Sequence, residues 1–244
     1  MFDFLKRKSV APTLGYETDV HSHVIPGLDD GSPDMGHSLF LIHAMKRWGI
    51  KRILATPHVT EETFENTPAT ITPAFNALKD ALKEQRINID IDFSSEYRVD
   101  EYFDKMLKEG TIKLLPNNHI LLENSFLQEP WQLSDMIFNL QLKSYNIILA
   151  HPERYKYYIH KRTRYQELHD AGAMFQVNVL SLAGHYGKDV KENAIWLVEN
   201  GMVDFLGTDL HNVNHVNSID RLLNTSDYKK ILKKINLKND TAFI

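Results

Sequence analysis

Short runs rich in Ile, Val, Leu and Phe alternate with longer amphipathic runs, and this alternation constrains the fold more than any other feature of the chain. Strands are expected at residues 16–23, 51–58, 89–97, 119–126, 146–153, 174–182 and 203–211. Several are rich in Ile, Val, Leu and Phe, as strands buried on both faces are. Helices are expected between them. Segment 32–49 has start signals at Ser32 and Pro33 and a stop signal at Gly49, and 72–86 sets Ala74, Leu78, Ala81 and Leu82 on one stripe. Further helical patterns run over 130–144, 161–172, 188–201 and 218–235, with Pro130 opening the first and Gly172 and Gly201 closing the next two. Strands spaced by helices favour parallel β-α-β units. About seven such units in 244 residues predict an α/β fold, a distorted (β/α)7 TIM-like barrel, with a doubly wound open sheet as the alternative. With no linker, low-complexity stretch or internal repeat in view, the plan is an N-terminal tail over 1–15 and a single domain over 16–244.

Six of the seven expected strands deliver a ligand-type side chain at or near the C-terminal end. The first ends in "HSH", with His21 and His23, and Asp30 follows in "DDG". The second ends at His58 in "ATPH", the third at Glu96 in "SSEY", and the fourth carries Glu123 in "LLENS". The fifth ends at His151 in "LAHPER" and the seventh at Asp209 and His211 in "GTDLH"; the sixth offers only Asn178. Parallel barrels build their active sites at the C-terminal ends of the strands, so these scattered residues are expected to meet at one mouth. His21 and His23, two apart on a strand, point to the same side, and Asp209 and His211 repeat that spacing. Imidazoles and carboxylates together suit Zn, Mn or Fe better than Ca or Mg alone. Five histidines (His21, His23, His58, His151, His211) and four carboxylates (Asp30, Glu96, Glu123, Asp209) are more than one ion can use. Two or three divalent ions, with a carboxylate bridging, use them all and leave positions for water.

Composition narrows the chemistry. The chain has no cysteine, which excludes disulfides, thiolate ligands and a thiol nucleophile. Its 28 basic and 32 acidic residues give a net charge of −4, which argues against a large nucleic-acid footprint. No apolar run reaches the ~18 residues that span a bilayer. The opening "MFDFLKRKSV" is basic without the apolar stretch of a signal peptide. A cytoplasmic protein that is not integral to a membrane is expected.

The ordered set "DVHSH", "DDG", "TPH", "SSEY", "LLEN", "AHPERY" and "GTDLHN" resembles the polymerase-and-histidinol-phosphatase (PHP) superfamily. Within it, the HSH–DDG pair and AHPERY resemble the bacterial protein-tyrosine phosphatases of capsule and exopolysaccharide loci, over about residues 16 to 220. The resemblance implies a distorted (β/α)7 barrel with three metal ions at its mouth, manganese being favoured over iron or zinc. It implies one ion held by His21, His23, Glu96 and Asp209. A second would be held by Glu96, Glu123 and His151, with Glu96 bridging, and a third by Asp30, His58 and His211. It implies that Arg154 contacts the substrate phosphate in catalysis, that metal-activated water hydrolyses phosphotyrosine, and that the partner is a bacterial tyrosine kinase controlling polysaccharide synthesis. The family's arginine shortly after "DxHN" is missing: "DLHNVNHVNSIDR" has His215, a substrate-side candidate, and no arginine before Arg221. The loop "VTEETFEN" after His58 is acidic.

Other polar residues have plainer readings. His37, His43, His119, His160, His169 and His185 fall outside the ligand pattern and are read as structural. Asp29 is read as a turn or capping residue; Tyr155, Tyr157 and Tyr158 as packing or rim; Met45 and Trp48 as core. A histidinol-phosphate type of small-molecule phosphatase and a non-catalytic metal-binding regulator remain as alternative functions. A PHP nuclease is disfavoured by the acidic balance.

Overall fold

The computed structural model describes residues 12–159 and 161–244, so His160 and most of the expected N-terminal tail lie outside the described residues. The strands are β1 (Thr18–Asp19), β2 (Arg52–Ala55), β3 (His58–Val59), β4 (Asp90–Phe93), β5 (Glu96–Arg98), β6 (His119–Glu123), β7 (Asn146–Ala150), β8 (Met174–Asn178) and β9 (Phe205–Gly207). All pair in parallel, as β1-β2-β4 and β3-β5-β6-β7-β8-β9. Two expected strands are each split. Thr56 and Pro57 separate β2 from β3, where proline removes a ladder donor, and Ser94 and Ser95 separate β4 from β5. The chain beyond β1 then meets the chain beyond β9. Ser22 bridges Leu210 in parallel, His23 N donates to Leu210 O at 3.2 Å, and Asp209 N donates to His21 O at 2.8 Å. Neighbours therefore follow sequence order all the way round and the last meets the first. This is the distorted barrel, and the doubly wound alternative, which needs a reversal of strand order, does not hold.

The helices are α1 (Met35–Arg47), α2 (Pro68–Glu84), α3 (Glu101–Glu109), α4 (Leu133–Leu142), α5 (Arg162–Asp170), α6 (Val179–Ala183), α7 (Lys188–Glu199), α8 (Val213–Leu223) and α9 (Ser226–Leu232). Asp34, not Ser32, caps α1 by accepting from His37 N at 2.9 Å. Helix α2 starts earlier than expected because Thr67 and Thr70 form a reciprocal cap, and its buried stripe is Ile71, Phe75, Leu78 and Leu82. The expected 218–235 helix is two helices, because Thr225 caps a new start by accepting from Tyr228 N. The end of the sixth expected strand turns into α6.

Apolar residues fill the barrel beneath the site. Leu54, Leu121, Ile148 and Phe205 form a buried cluster closed from below by Leu115 and Phe243. In β6, Leu121 and Glu123 lie two apart and share a face, so the polar layer sits directly on this apolar one. The outer core lies between strands and helices and contains Met45 and Trp48, as expected. Leu14, within the stretch read as tail, is also buried there, and its carbonyl accepts from Tyr228 Oη at 2.8 Å. The last residues are fastened to the barrel floor. Asn239 donates to Thr18 O (2.9 Å) and Leu206 O (2.8 Å) and accepts from Leu206 N (3.0 Å).

Candidate metal centre

All nine nominated ligands come together at the strand ends. Glu96 lies in the middle and is buried. Its Oε2 is 3.2 Å from His21 Nε2, 3.5 Å from His23 Nε2 and 3.0 Å from His58 Nδ1, and its Oε1 is 2.9 Å from His151 Nε2. Glu123 Oε1 is 3.5 Å from His151 Nε2. Asp209 Oδ1 is 3.4 Å from both His21 Nε2 and His23 Nε2. Asp30 Oδ1 lies 3.6 Å from His58 Nε2 and 3.4 Å from His211 Nε2. Each of four overlapping groups offers one donor atom per residue, all within 4.8 Å of one another: His23–Asp30–His58–His211, His21–His23–Glu96, His21–His151–Asp209 and His58–Glu96–Glu123.

The backbone is bent to achieve this. His151 has φ 34° and Asp209 φ 47°, left-handed values that cost a non-glycine residue roughly 1–3 kcal/mol. Two glycines give close approach: a Cβ on Gly31 would overlap His23, and one on Gly207 would lie 2.6 Å from Gln176 Nε2 and 2.9 Å from His21 Cβ. The "DDG" and "GTD" motifs thus owe their glycines to the His21–His23 segment passing beside them.

The outward nitrogens of three histidines are tied down. His21 Nδ1 donates to Gln176 Oε1 at 2.7 Å, His23 Nδ1 to Asp29 Oδ2 at 2.8 Å, and His211 Nδ1 to Asp209 O at 2.9 Å. Such bonds fix the tautomer and leave the Nε2 lone pair facing the centre. His21 Nε2 and His23 Nε2 then face each other at 3.2 Å and face the Glu96 and Asp209 carboxylates. Lone pairs against carboxylates repel unless a cation sits between them. Glu96 Oε2 and His58 Nδ1 are buried without a hydrogen-bond partner although 3.0 Å apart, so this close approach converges on shared space and is not a hydrogen bond. The donor set fits divalent transition-metal ions.

The protonation behaviour carries the same signature. Burial disfavours an imidazolium at His21, yet Glu96 and Asp209 raise its pKa to about 9. Burial and the neighbouring Glu96 charge push Glu123 up to about 7. Burial and the Arg154 charge lower His151 to about 4. Protons are distributed where cations would otherwise balance the carboxylates.

Above the donors opens a cavity of about 400 Å³. Arg154 lines it, its guanidinium sandwiched between Tyr186 (4.2 Å to the ring centroid) and Phe126 (4.8 Å). Arg154 Nη1 also donates to Asp209 Oδ2 at 2.9 Å, so this arginine touches a nominated ligand as well as the substrate space. Asn178 Nδ2 (2.6 Å) and Tyr186 Oη (3.3 Å) hold the same oxygen. His215 lines the cavity with Nδ1 3.1 Å from Asp209 O, and burial together with His211 lowers its pKa to about 4. At neutral pH its ring is uncharged.

Sequence reasoning missed several residues here. Asp29 is no simple turn residue: it holds His23 Nδ1 and also accepts from His58 N at 2.9 Å. Arg98 lines the cavity with Nε 3.1 Å from Glu123 Oε2 and its guanidinium 6.0 Å from the Phe126 ring. The signal for it was present, since Arg98 follows Glu96 by two on a strand. Phe64, stacked on His58 at 5.7 Å, completes an aromatic wall. Of the histidines set aside, His169 pairs with Asp204 (3.2 Å) and His119 packs on Phe243 (4.9 Å). Tyr155 and Tyr158 are buried, and Tyr155 Oη bridges Asn124 N and Ala150 O.

A parallel barrel carrying a multi-histidine, multi-carboxylate centre defines a PHP-type metal-dependent hydrolase. The family model for "Capsular polysaccharide synthesis, CpsB/CapC" matches residues 17–242, and the chain belongs to that family. It is 33% identical over 196 residues to the tyrosine-protein phosphatase YwqE of Bacillus subtilis, covering 80% of this chain and 77% of that one. It is 26% identical over 202 residues to the tyrosine-protein phosphatase CpsB of Streptococcus pneumoniae, covering 80% and 83%. A chain from the crystal structures of YwqE and CpsB, described as metal-dependent tyrosine phosphatases, superposes with a TM-score of 0.76 at 28% identity, covering 90% of this chain and 96% of that one. An amidohydrolase from Mycoplasma synoviae shares the fold at 11% identity and a TM-score of 0.55. Among the described residues no helix is long and apolar enough to cross a membrane.

Proposed function

We propose that the chain is a metal-dependent protein-tyrosine phosphatase whose physiological substrate is a tyrosine kinase controlling capsular or exopolysaccharide synthesis in the cytoplasm. The observation that carries this reading is a nine-donor centre at the floor of a cavity walled by Phe64, Phe126 and Tyr186 and entered by two guanidinium groups, Arg154 and Arg98. His21, His23, Glu96 and Asp209 would hold one ion; Glu96, Glu123 and His151 a second; Asp30, His58 and His211 a third. When bound, such ions polarise phosphoryl oxygens and lower the pKa of a water from 15.7 toward about 7.

The chain's own residues do the rest. Asp209, Phe126 and Tyr186 hold the Arg154 guanidinium before substrate arrives, so its planar fork meets two phosphoryl oxygens with little further ordering. Arg98, its guanidinium beside the Glu123 carboxylate, adds a second positive group to the cavity where the "DLHN" segment has none. The aromatic walls suit an aryl ester. A tyrosine phenolate, with a pKa near 10, leaves without much help from an acid. The absence of cysteine excludes a thiol route.

Hydrolysis of a phosphotyrosine peptide, histidinol phosphate and a phosphodiester by the metal-loaded protein tests this reading. The peptide is expected to have the highest kcat/KM by about tenfold or more, the discrimination a shaped pocket supplies. Preference for histidinol phosphate would replace the tyrosine-phosphatase reading with the small-molecule one. No turnover of any of them by metal-loaded protein would favour a non-catalytic regulator.

A further inference from the structure

A second cavity, of about 740 Å³, lies beside the first between the α6–α7 and α8–α9 pairs. Its floor is apolar, formed by Leu182, Ile195, Leu222 and Ile231. Its rim carries Lys191, Arg221, Lys230 and Lys234 against one carboxylate, Asp227. Lys230 pairs with Asp227 at 3.1 Å and Lys234 with Glu199 at 3.3 Å. Among the described residues no carboxylate lies within 4.0 Å of Lys191 or Arg221. This concentration of positive charge runs against the net charge of −4.

The groove adjoins the catalytic cavity. His185 lines the groove, His215 lines the cavity, and their rings are 4.8 Å apart. The next residue, Tyr186, packs on Arg154. Along α8, His215, Ser218 and Arg221 recur at helical spacing and lead from the cavity to the groove. Across the mouth, Glu61, Glu62 and Glu65 lie on the exposed loop that carries Thr60, Thr63 and Phe64 into the cavity. The mouth is therefore acidic on one side and basic on the other.

We propose that this groove binds an acidic, partly apolar segment flanking the phosphotyrosine of the protein substrate. The proposal rests on the tyrosine-phosphatase reading and adds the class of sequence the enzyme prefers. An extended chain advances ~3.3–3.6 Å per residue, so it passes a wall two imidazoles thick within a few residues of the phosphotyrosine. The acidic loop opposite repels such a segment, and Lys191 and Arg221, with no carboxylate at ion-pair distance among the described residues, attract it.

The test uses fluorescein-labelled peptides with glutamate and leucine on both sides of a central tyrosine, counterparts with glycine and serine flanks, and the variant Lys191→Glu/Arg221→Glu. Both residues are exposed, so the fold is expected to tolerate the change. With phosphorylated peptides the wild type is expected to favour the acidic one in kcat/KM by about tenfold at low salt, and the variant to lose that preference while p-nitrophenyl phosphate turnover stays within about twofold. Unphosphorylated acidic peptide, followed by anisotropy, is expected to bind wild type more tightly than variant by a similar factor, a readout independent of hydrolysis. Equal handling of acidic and neutral peptides by the wild type, or an unchanged preference and affinity in the variant, would overturn the groove. Peptide binding that depends on Lys191 and Arg221 without phosphotyrosine turnover would support the groove and strike the phosphatase reading.

Discussion

Glu96 touches four histidines and is buried, whereas the Asp30 side chain touches two and is 61% exposed. A donor shared between ions is harder to lose than a terminal one. Glu96→Gln is therefore expected to release more metal than Asp30→Asn and to cost more activity; metal analysis of the two variants giving equal retention would remove the bridging role. Sequence alone pointed to Asp30 as the ligand and to Asp29 as a turn residue, without the reason the two differ. Their roles part only when the turn closed by Gly31 sends one carboxylate inward to His23 Nδ1 and leaves the other facing His58 and His211. Arg154 was nominated by the resemblance and lines the cavity, but its bond to Asp209 was not legible, since the partners lie far apart in sequence. Arg154→Ala is expected to lower kcat/KM on phosphotyrosine by about 10²–10³, the usual loss when a preorganised donor to developing charge is removed. Asn178 and Tyr186 still hold Asp209, so metal content should fall little, and lysine should rescue only in part. Near-wild-type kcat/KM in Arg154→Ala would exclude it as the phosphate contact.

The elements carry their own lessons. Period and punctuation located all seven strand regions, because buried parallel strands are apolar runs. They did not show that two strands break at Thr56–Pro57 and Ser94–Ser95, breaks that help turn His58 and Glu96 toward the centre. Helix α3 was missed although Asp100 caps it, accepting from Phe103 N at 2.9 Å, and Gly110 ends it. The α8–α9 break was likewise written in Thr225, but a continuous apolar stripe masked it. Away from the site, Asp204 fastens β9 to its neighbours: it accepts from Phe175 N at 2.9 Å, lies 3.2 Å from His169 Nε2 and 2.7 Å from Lys238 Nζ. Burial opposes its charge, but His169 and Lys238 hold its pKa below the ordinary carboxylate value. A depressed folded-state pKa contributes stability above the unfolded value of about 3.9 and loses it as pH falls through the folded value. Asp204→Asn should therefore cost about 1–2 kcal/mol in urea melts at pH 7, and the gap should narrow below about pH 4. A gap that is constant or widens in acid would contradict this account of Asp204.

At the scale of the molecule, alternation predicted the barrel because its neighbours are consecutive, so sequence order is also spatial order. What alternation could not predict is closure. It is made by Ser22 and Leu210, and by Asn239 stitching the C-terminal segment to β1 and β9, contacts that join the two ends of the chain. Closure is what carries His21 and His23 to Asp209 and His211, so the centre depends on the whole ring and not on any one motif. If nine donors converge to hold catalytic ions, metal content and activity must rise and fall together, which elemental analysis of the purified protein, paired with phosphotyrosine-peptide hydrolysis before chelation, after chelation and after readdition of metal, measures. Two to three transition-metal ions per chain are expected, by the donor set, with activity abolished when they are removed and restored by manganese or another divalent ion. Fewer than one ion per chain in active protein, or hydrolysis that survives their complete removal, would contradict it.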